Sequence, residues 1–299
     1  MAWTKRIILF VVTNIAVILL VSLILSIFNV APYLSGSGLD YTSLLIYAAL
    51  FGFAGSFISL FTSKWMAKRA FSIEIITEPR TDDERFVRDT VAGLAQRASI
   101  GVPEVGIYDS PEANAFATGW NKNNALVAVS TGLLANMTRD EAEGVLGHEV
   151  SHVANGDMVT LTLIQGVVNT FVIFFARIAA HVVQTFMSRD NEEGAAVGGF
   201  AYHMIAMLFE IVFGIFASML VMAFSRHREY RADAGSASLL GREKMISALT
   251  KLRALQETLV DPRGTAFNAM KISDKPSFLS LFSSHPPLEK RIEALKNSR

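Results

Sequence analysis

Two histidines four residues apart, with a glutamate beside the first, stand in the stretch GHEVSHVANGD at residues 147–157. On an α-helix each residue turns by about 100°, so His148 and His152 project about 40° apart, one turn above the other. Two imidazoles at that spacing can share one zinc ion, and Glu149 then flanks the same face, close enough to handle an activated water rather than bind the metal. The bland reading is a pair of exposed helix histidines. Zinc held by two histidines needs at least one more protein ligand. The chain has no cysteine, so thiolate sites and disulfides are excluded and the remaining ligand must be a carboxylate or another histidine. The metzincin extension needs Gly at 155 and His at 158. Here those positions are Asn155 and Met158, and that class is excluded. The best third ligand is Glu229 in SRHREYRADAGS, with Asp233 four residues on and on the same helix face. A carboxylate such as Asp233 is suited to orient a ligating histidine through its other ring nitrogen. Spacing alone leaves open an ordinary solvated face paired with Arg226, Arg228 and Arg231.

The elements that must hold these residues are legible in outline. TRDEAEGVLGHEVSHVAN reads as one helix, with a capping box at Thr138 and Glu141 and a stop signal at Asn155-Gly156. DDERFVRDTVAGLAQRA reads as an amphipathic helix with Phe86, Val87, Val91, Leu94 and Ala98 on its apolar side. VPEVGIYDS is expected to form a strand. NAFATGW and ALVAVST flank the turn residues NKNN at 121–124, which predicts a β-hairpin. REKMISALTKLRALQETL places Met245, Leu249, Leu252 and Leu259 at helical spacing, and Leu288, Ile292 and Leu295 mark an amphipathic C-terminal helix. Either arm of the hairpin, residues 114–118 or 125–129, could offer an edge to which a peptide adds as a strand. Small side chains such as Ala115 and Ala117 would allow close backbone approach; the bland alternative is that they only pack against the motif helix.

Half of the chain's composition belongs to a different environment. Hydrophobic residues make up 51% of the 299 positions and charged residues only 18%, below the usual quarter for a soluble domain. Mean hydropathy is positive, and the net charge of zero gives no pointer to nucleic acid. Residues 7–30 and 41–63 are uncharged apolar runs, each long enough to cross about 30 Å of hydrocarbon. Lys5 and Arg6 precede the first, but its apolar core is too long for a signal peptide and a second span follows closely. Weaker runs cover about 158–186 and 198–225, interrupted by Arg177 and Glu210. These two charges fall at similar depth in an antiparallel helix pair and are expected to pair with each other. His181 and His203 are read as interfacial. Lys5/Arg6, Lys64/Lys68/Arg69 and Arg226/Arg228 belong on the cytoplasmic side by the positive-inside rule. The loops at 31–40 and 188–194 then face outward, and both termini are cytoplasmic.

HEVSH together with REYRAD, NAFATG and SHPPLEKRIEAL resembles the HtpX-type membrane zinc metalloproteases, relatives of the eukaryotic CaaX prenyl proteases, over nearly the whole chain. The resemblance implies zinc ligation by His148, His152 and Glu229, with Glu149 as general base and Asp233 supporting a ligand. It further implies that Asn114, with Ala115 and Phe116 following in NAFATG, lines the substrate cleft, and that His285 lies near the metal and stabilises the oxyanion. Read from the residues alone, His285 is a packing residue before a rigid Pro286-Pro287 turn.

These readings converge on a mainly α fold. Four transmembrane helices are joined to a cytoplasmic zincin-like α+β domain that carries a small hairpin or sheet. Residues 1–69 hold two spans, 70–157 the first half of the catalytic domain, 158–225 two more spans, and 226–299 the second half. The expected function is a zinc endopeptidase of the bacterial inner membrane, with one zinc per chain. It would cut cytoplasmic regions of membrane proteins, and the resemblance implies that these are damaged or misfolded proteins cut under stress, with self-cleavage. Oligomeric state is not legible. CaaX-type processing is the nearest alternative, though four spans are fewer than the prenyl proteases have. An intramembrane site-2-type protease is disfavoured by Arg139, Asp140, Glu141 and Glu143 ahead of the motif. A metal transporter or sensor would need more ionisable residues in its spans.

Overall fold

The computed structural model describes residues 40–189, 199–258 and 284–298. The first apolar run, most of the acidic loop before residue 194, and Leu259 lie outside them, so the expected count of four spans reduces here to three. Those three are long helices: α1 (Tyr41–Ala70), α5 (Asp157–Arg189) and α6 (Gly199–Leu240). Each is long and apolar enough to cross a membrane. Two of them outrun their expected spans. α1 continues past Ser63 through its Lys64, Lys68 and Arg69 segment, and α6 continues past Ser225 to Leu240. Neither extension contains a proline or an interior stop signal, so the backbone keeps its helical bonds after the side chains turn polar.

The chain divides into two compact units. One is made of the described part of Met1–Ile58 together with Thr162–Val221. Leu45, Ala48 and Phe174 are buried together within it. Asn169 donates to the Ser56 hydroxyl at 3.4 Å. Arg177 meets Glu210 at 3.4 Å, as the matched depths require, and also reaches His203 Nδ1 at 3.3 Å. Leu50, Phe51, Ile58, Phe216 and Leu220 remain more than half exposed. An apolar face of that extent suits lipid.

The other unit, Ser59–Leu161 with Met222–Arg299, carries the expected chemistry. Its sheet has the order β1-β2-β4-β3, built from β1 (Glu74–Ile75), β2 (Glu104–Tyr108), β3 (Ala115–Asn121) and β4 (Asn124–Ser130). β3 and β4 form the expected antiparallel hairpin, with an irregularity between Gly119 and Asn121. β2 pairs in parallel with β4, and β1 is antiparallel to β2. β4 is therefore interior, and among the described residues only β3 of the two hairpin arms is an edge. The expectation that either arm could offer an edge is corrected: β2 already takes the second side of β4.

Helix α2 (Asp82–Arg97) begins with a Thr81/Glu84 capping box and buries Val87, Val91 and Leu94. After the short α3 (Thr131–Asn136), α4 (Arg139–Asn155) starts at the expected Thr138/Glu141 box. It ends at Gly156, whose φ of 65° is the left-handed cap that glycine adopts without strain. The core joins Val87, Val91 and Leu94 of α2 to Val127 and Val129 of β4 and to Val145, Leu146 and Val150 of α4. Ala115 and Ala117 pack against this cluster, as the bland reading of those alanines holds. α7 (Arg242–Thr258) and α8 (Leu288–Asn297) close the unit through Met245, Leu249, Ile292 and Leu295.

α4 lies so close to α6 and α7 that its small residues are required. A Cβ on Gly147 would fall 2.6 Å from the Ser236 hydroxyl, one on Gly144 2.7 Å from the Lys244 carbonyl, and one on Gly235 2.6 Å from the Ser151 hydroxyl. Ser236 uses the proximity to donate to the Gly144 carbonyl at 2.9 Å. Replacing Gly144 by valine is expected to destabilise this unit by about 1–3 kcal/mol. A thermal melt should show it as a drop of several degrees, and an unchanged midpoint would refute the tight seam.

Candidate functional site

α4 presents His148 and His152 on one face because they are one turn apart, and the close seam sets Glu229 of α6 opposite them. His148 Nε2 and His152 Nε2 are 3.1 Å apart. Glu229 Oε2 lies 3.4 Å from the first and its Oε1 3.2 Å from the second. The three ligand atoms form a small triangle. A tetrahedral cation with ligands at about 2.0–2.1 Å holds them about 3.3 Å apart, and the separation of the two Nε2 atoms and the approach of each Glu229 oxygen to its nearer histidine are of that size. Glu229 is 2% exposed and Asp233 1%, which removes the solvated-face reading for both. The histidines are not the exposed pair of the bland reading either: His148 is buried and His152 nearly so.

The outer nitrogen of each imidazole is fixed by its own carboxylate. His148 Nδ1 lies 2.8 Å from Asp233, the partner anticipated from sequence. His152 Nδ1 lies 2.7 Å from Asp157, which is 1% exposed and directly follows the Asn155-Gly156 stop. A carboxylate can only accept, so Nδ1 donates in both cases, and once the Nε2 protons are displaced both Nε2 lone pairs face the triangle. An arginine meets each of these acids, at the carboxylate of Asp233 and at the backbone of Asp157. Arg291 of α8 grips Asp233 with two bonds of 2.8 and 2.6 Å and also reaches Glu229 at 3.3 Å. Arg228 donates to the Asp157 backbone carbonyl at 3.1 Å and to the Ser225 hydroxyl at 3.1 Å.

Arg291 and Asp157 are the residues that motif reading passed over. The available signals were faint: an arginine inside the apolar stripe of the C-terminal helix, and an acid at the first position of an apolar span. With neutral imidazoles, the buried acids Glu229, Asp233 and Asp157 outnumber Arg291, the one buried arginine among the described residues. A divalent cation would offset that excess.

Glu149 is half-buried beside the triangle, and its carboxylate takes no hydrogen bond among the described residues. His285 Nδ1 sits 2.6 Å from Glu229, and its side chain is 61% exposed. That places it at the site and overturns the alternative of a packed turn residue. Asn114 immediately precedes β3 and is tied to Ser130, donating its amide to the hydroxyl at 3.0 Å and accepting from the Ser130 amide at 2.9 Å. Ala115 turns inward towards the α4 core. Phe116 points to the other face of the sheet, where it meets Phe71 and Tyr108 with ring centroids 5.2 and 5.7 Å away. The three NAFATG residues therefore do not share one surface.

Burial by itself would depress the pKa of both histidines. Hydrogen bonds to Asp233 and Glu229 outweigh it at His148. Bonds to Asp157 and Glu229 outweigh it at His152, which is pushed up to about 9. In the metal-free protein at neutral pH a cation must therefore displace bound protons, and this competition fades as pH rises towards 9. Uptake of a divalent cation, with zinc as the probe, is expected to release protons at pH 7.5 and to tighten between pH 6 and 9. Calorimetric titration in two buffers of different ionisation enthalpy measures both. Asp157→Ala is expected to weaken zinc affinity about 10–100-fold, read by competition with a chromogenic chelator; unchanged affinity would remove Asp157 from the site.

The sequence profile described as Peptidase family M48 matches residues 81–299. Protease HtpX of Tolumonas auensis is 57% identical over 297 residues, covering 99% of this chain and 100% of that relative. Protease HtpX of Shewanella denitrificans is 55% identical over 294 residues, covering 98% of this chain and 100% of that protein. Among solved structures, the crystal structure of S. mikatae Ste24p superposes with a TM-score of 0.61 at 21% identity, over 96% of this chain and 67% of that one. This last likeness is one of fold.

Proposed function

The chain belongs to peptidase family M48 and is a membrane metalloprotease, and from that premise we propose that its metal is zinc, held by His148, His152 and Glu229. The observation that carries this reading is the triangle of three ligand atoms with an unengaged glutamate beside it. Softer or larger ions are less suited, since the donors are two imidazoles and one carboxylate. Bound zinc would supply Lewis acidity, bringing the pKa of water down towards about 7 and polarising the scissile carbonyl.

The chain's own residues do the rest. Glu149 takes the proton from the attacking water and passes it to the leaving amine. Asp233 and Asp157 hold the imidazoles in the donating tautomer, and Arg291 keeps the Asp233 carboxylate ionised. His285, largely exposed and adjacent to Glu229, can donate a hydrogen bond to the oxygen that gains charge at the carbonyl. The free edge of β3 can take the substrate as an added strand.

The substrates we infer are cytoplasmic loops and tails of membrane proteins. Glu229 follows the apolar run that ends at Ser225 by only four residues on one continuous helix, and the clusters Lys64/Lys68/Arg69 and Arg226/Arg228 favour the cytoplasmic side. His152 gives no matching estimate of depth, because α4 stops at Gly156 instead of running into α5. In this reading, residues 70–157 and 226–299 form the cytoplasmic catalytic domain between and after the spans. The protein works in the inner membrane, in quality control of damaged membrane proteins, with self-cleavage.

Glu149→Gln is expected to retain zinc while hydrolysis of a casein-like substrate falls at least 10²-fold. Residual cleavage near the unsubstituted rate would sink the assignment of the base. Glu229→Ala is expected to lose the metal, and full zinc occupancy by atomic absorption would remove it from the ligand set.

A further inference from the structure

A cavity of about 660 Å³ opens where the sheet meets the end of α1. Glu74, Asp109 and Glu112 line it, and no lysine or arginine does so among the described residues. Its apolar wall is Phe71 with Tyr108, rings 5.3 Å apart, backed by Phe116. Carboxylates beside aromatic faces form the environment that attracts a guanidinium or ammonium group: the carboxylates supply charge, and the rings supply an apolar surface and a negative face for the stem and head.

Tyr108 ties this cavity to the chemistry. The residue is only 4% exposed. Its hydroxyl approaches Ser130 and Asn114 but makes no hydrogen bond of ordinary geometry, so a donor or acceptor is still owed there. Burial first, then the carboxylates of Glu112 and of the base Glu149, hold its pKa above the usual phenol value. Tyr108 lines the cavity and also feels the charge of the catalytic base. Asn114 lines the same cavity and directly precedes β3. A peptide added to the free edge of β3 would pass the cavity mouth at that end, and its side chains alternate across the strand.

We propose that this cavity is a substrate subsite that takes one lysine or arginine side chain of a peptide lying along β3. The inference rests on the proposed reading of β3 as the substrate edge. It also matches the substrate class, since the cytoplasmic segments flanking membrane spans are enriched in those two residues. Selectivity for them would come from the substrate pocket as well as from where the enzyme sits.

The test uses the full-length zinc enzyme in detergent and quenched fluorescent peptides that differ at one position at a time. Arginine or lysine at a single position is expected to raise kcat/KM about tenfold over alanine, and glutamate to lower it. In the Asp109→Asn/Glu112→Gln variant the arginine-to-alanine ratio should fall towards one. That ratio is internal to each preparation, so a partly folded variant still gives an answer. A flat profile at every scanned position, or a ratio intact in the variant, overturns the subsite. Glu149→Gln separates this from failure of the catalytic reading. If that variant cleaves the parent peptide as fast as the unsubstituted enzyme, the metalloprotease mechanism falls and the subsite with it. If it is inactive and the scan is flat, only the subsite falls.

Discussion

The close approach of α4 to α6 is the constraint from which the site follows. Gly144, Gly147 and Ser151 on one helix face Gly235 and Ser236 on or beside the other, and a methyl group at any of the three glycines meets an atom at 2.6–2.7 Å. A larger residue would part the helices by more than the 3.1–3.4 Å edges of the ligand triangle tolerate. Metal geometry is strict to within tenths of an ångström. The two histidines are placed by helical periodicity within one element, whereas the distance to Glu229 is a tertiary quantity set by this seam.

Electrostatics accounts for what surrounds the triangle. An imidazole that is to bind a metal needs a defined tautomer, and an acceptor stands behind each ring: Asp233 for His148 and Asp157 for His152. Buried carboxylates need partners in turn. Arg291 supplies one from the C-terminal helix, so α8 is part of the centre although its own sequence looks like packing. The buried negative excess is costly in a metal-free protein and raises the histidine pKa values. The same excess makes the site receptive to a divalent ion.

The sheet sets the direction in which a substrate can lie. The hairpin was legible from NKNN between two β-prone runs, because turn chemistry is local. Strand order was not. The parallel pairing of β2 with β4 joins segments about twenty residues apart and has no local signature; it makes β4 interior and leaves β3 as the free arm. The two-residue β1 is too short for periodicity to register. Phe116 shows the consequence: alternation along β3 turns it away from the α4 core and into the aromatic wall with Phe71 and Tyr108.

The sequence by itself determined the chemistry and the outline. HEVSH puts two candidate ligands and a candidate base on one helical face, and Thr138/Glu141 with Gly156 fixes where that helix starts and stops. The apolar runs mark the helices that suit a membrane, and REYRAD offers Glu229 and Asp233 at one-turn spacing. All of these depend on neighbours within a few residues, where backbone geometry is known in advance. The tertiary structure alone decided that Glu229 completes the triangle and that Asp157 and Arg291 belong to it. It also decided that β3 and not β4 is the edge, and that Glu74, Asp109 and Glu112 converge on one cavity. Those outcomes depend on how close distant segments can approach, which is set by packing and charge balance across the fold.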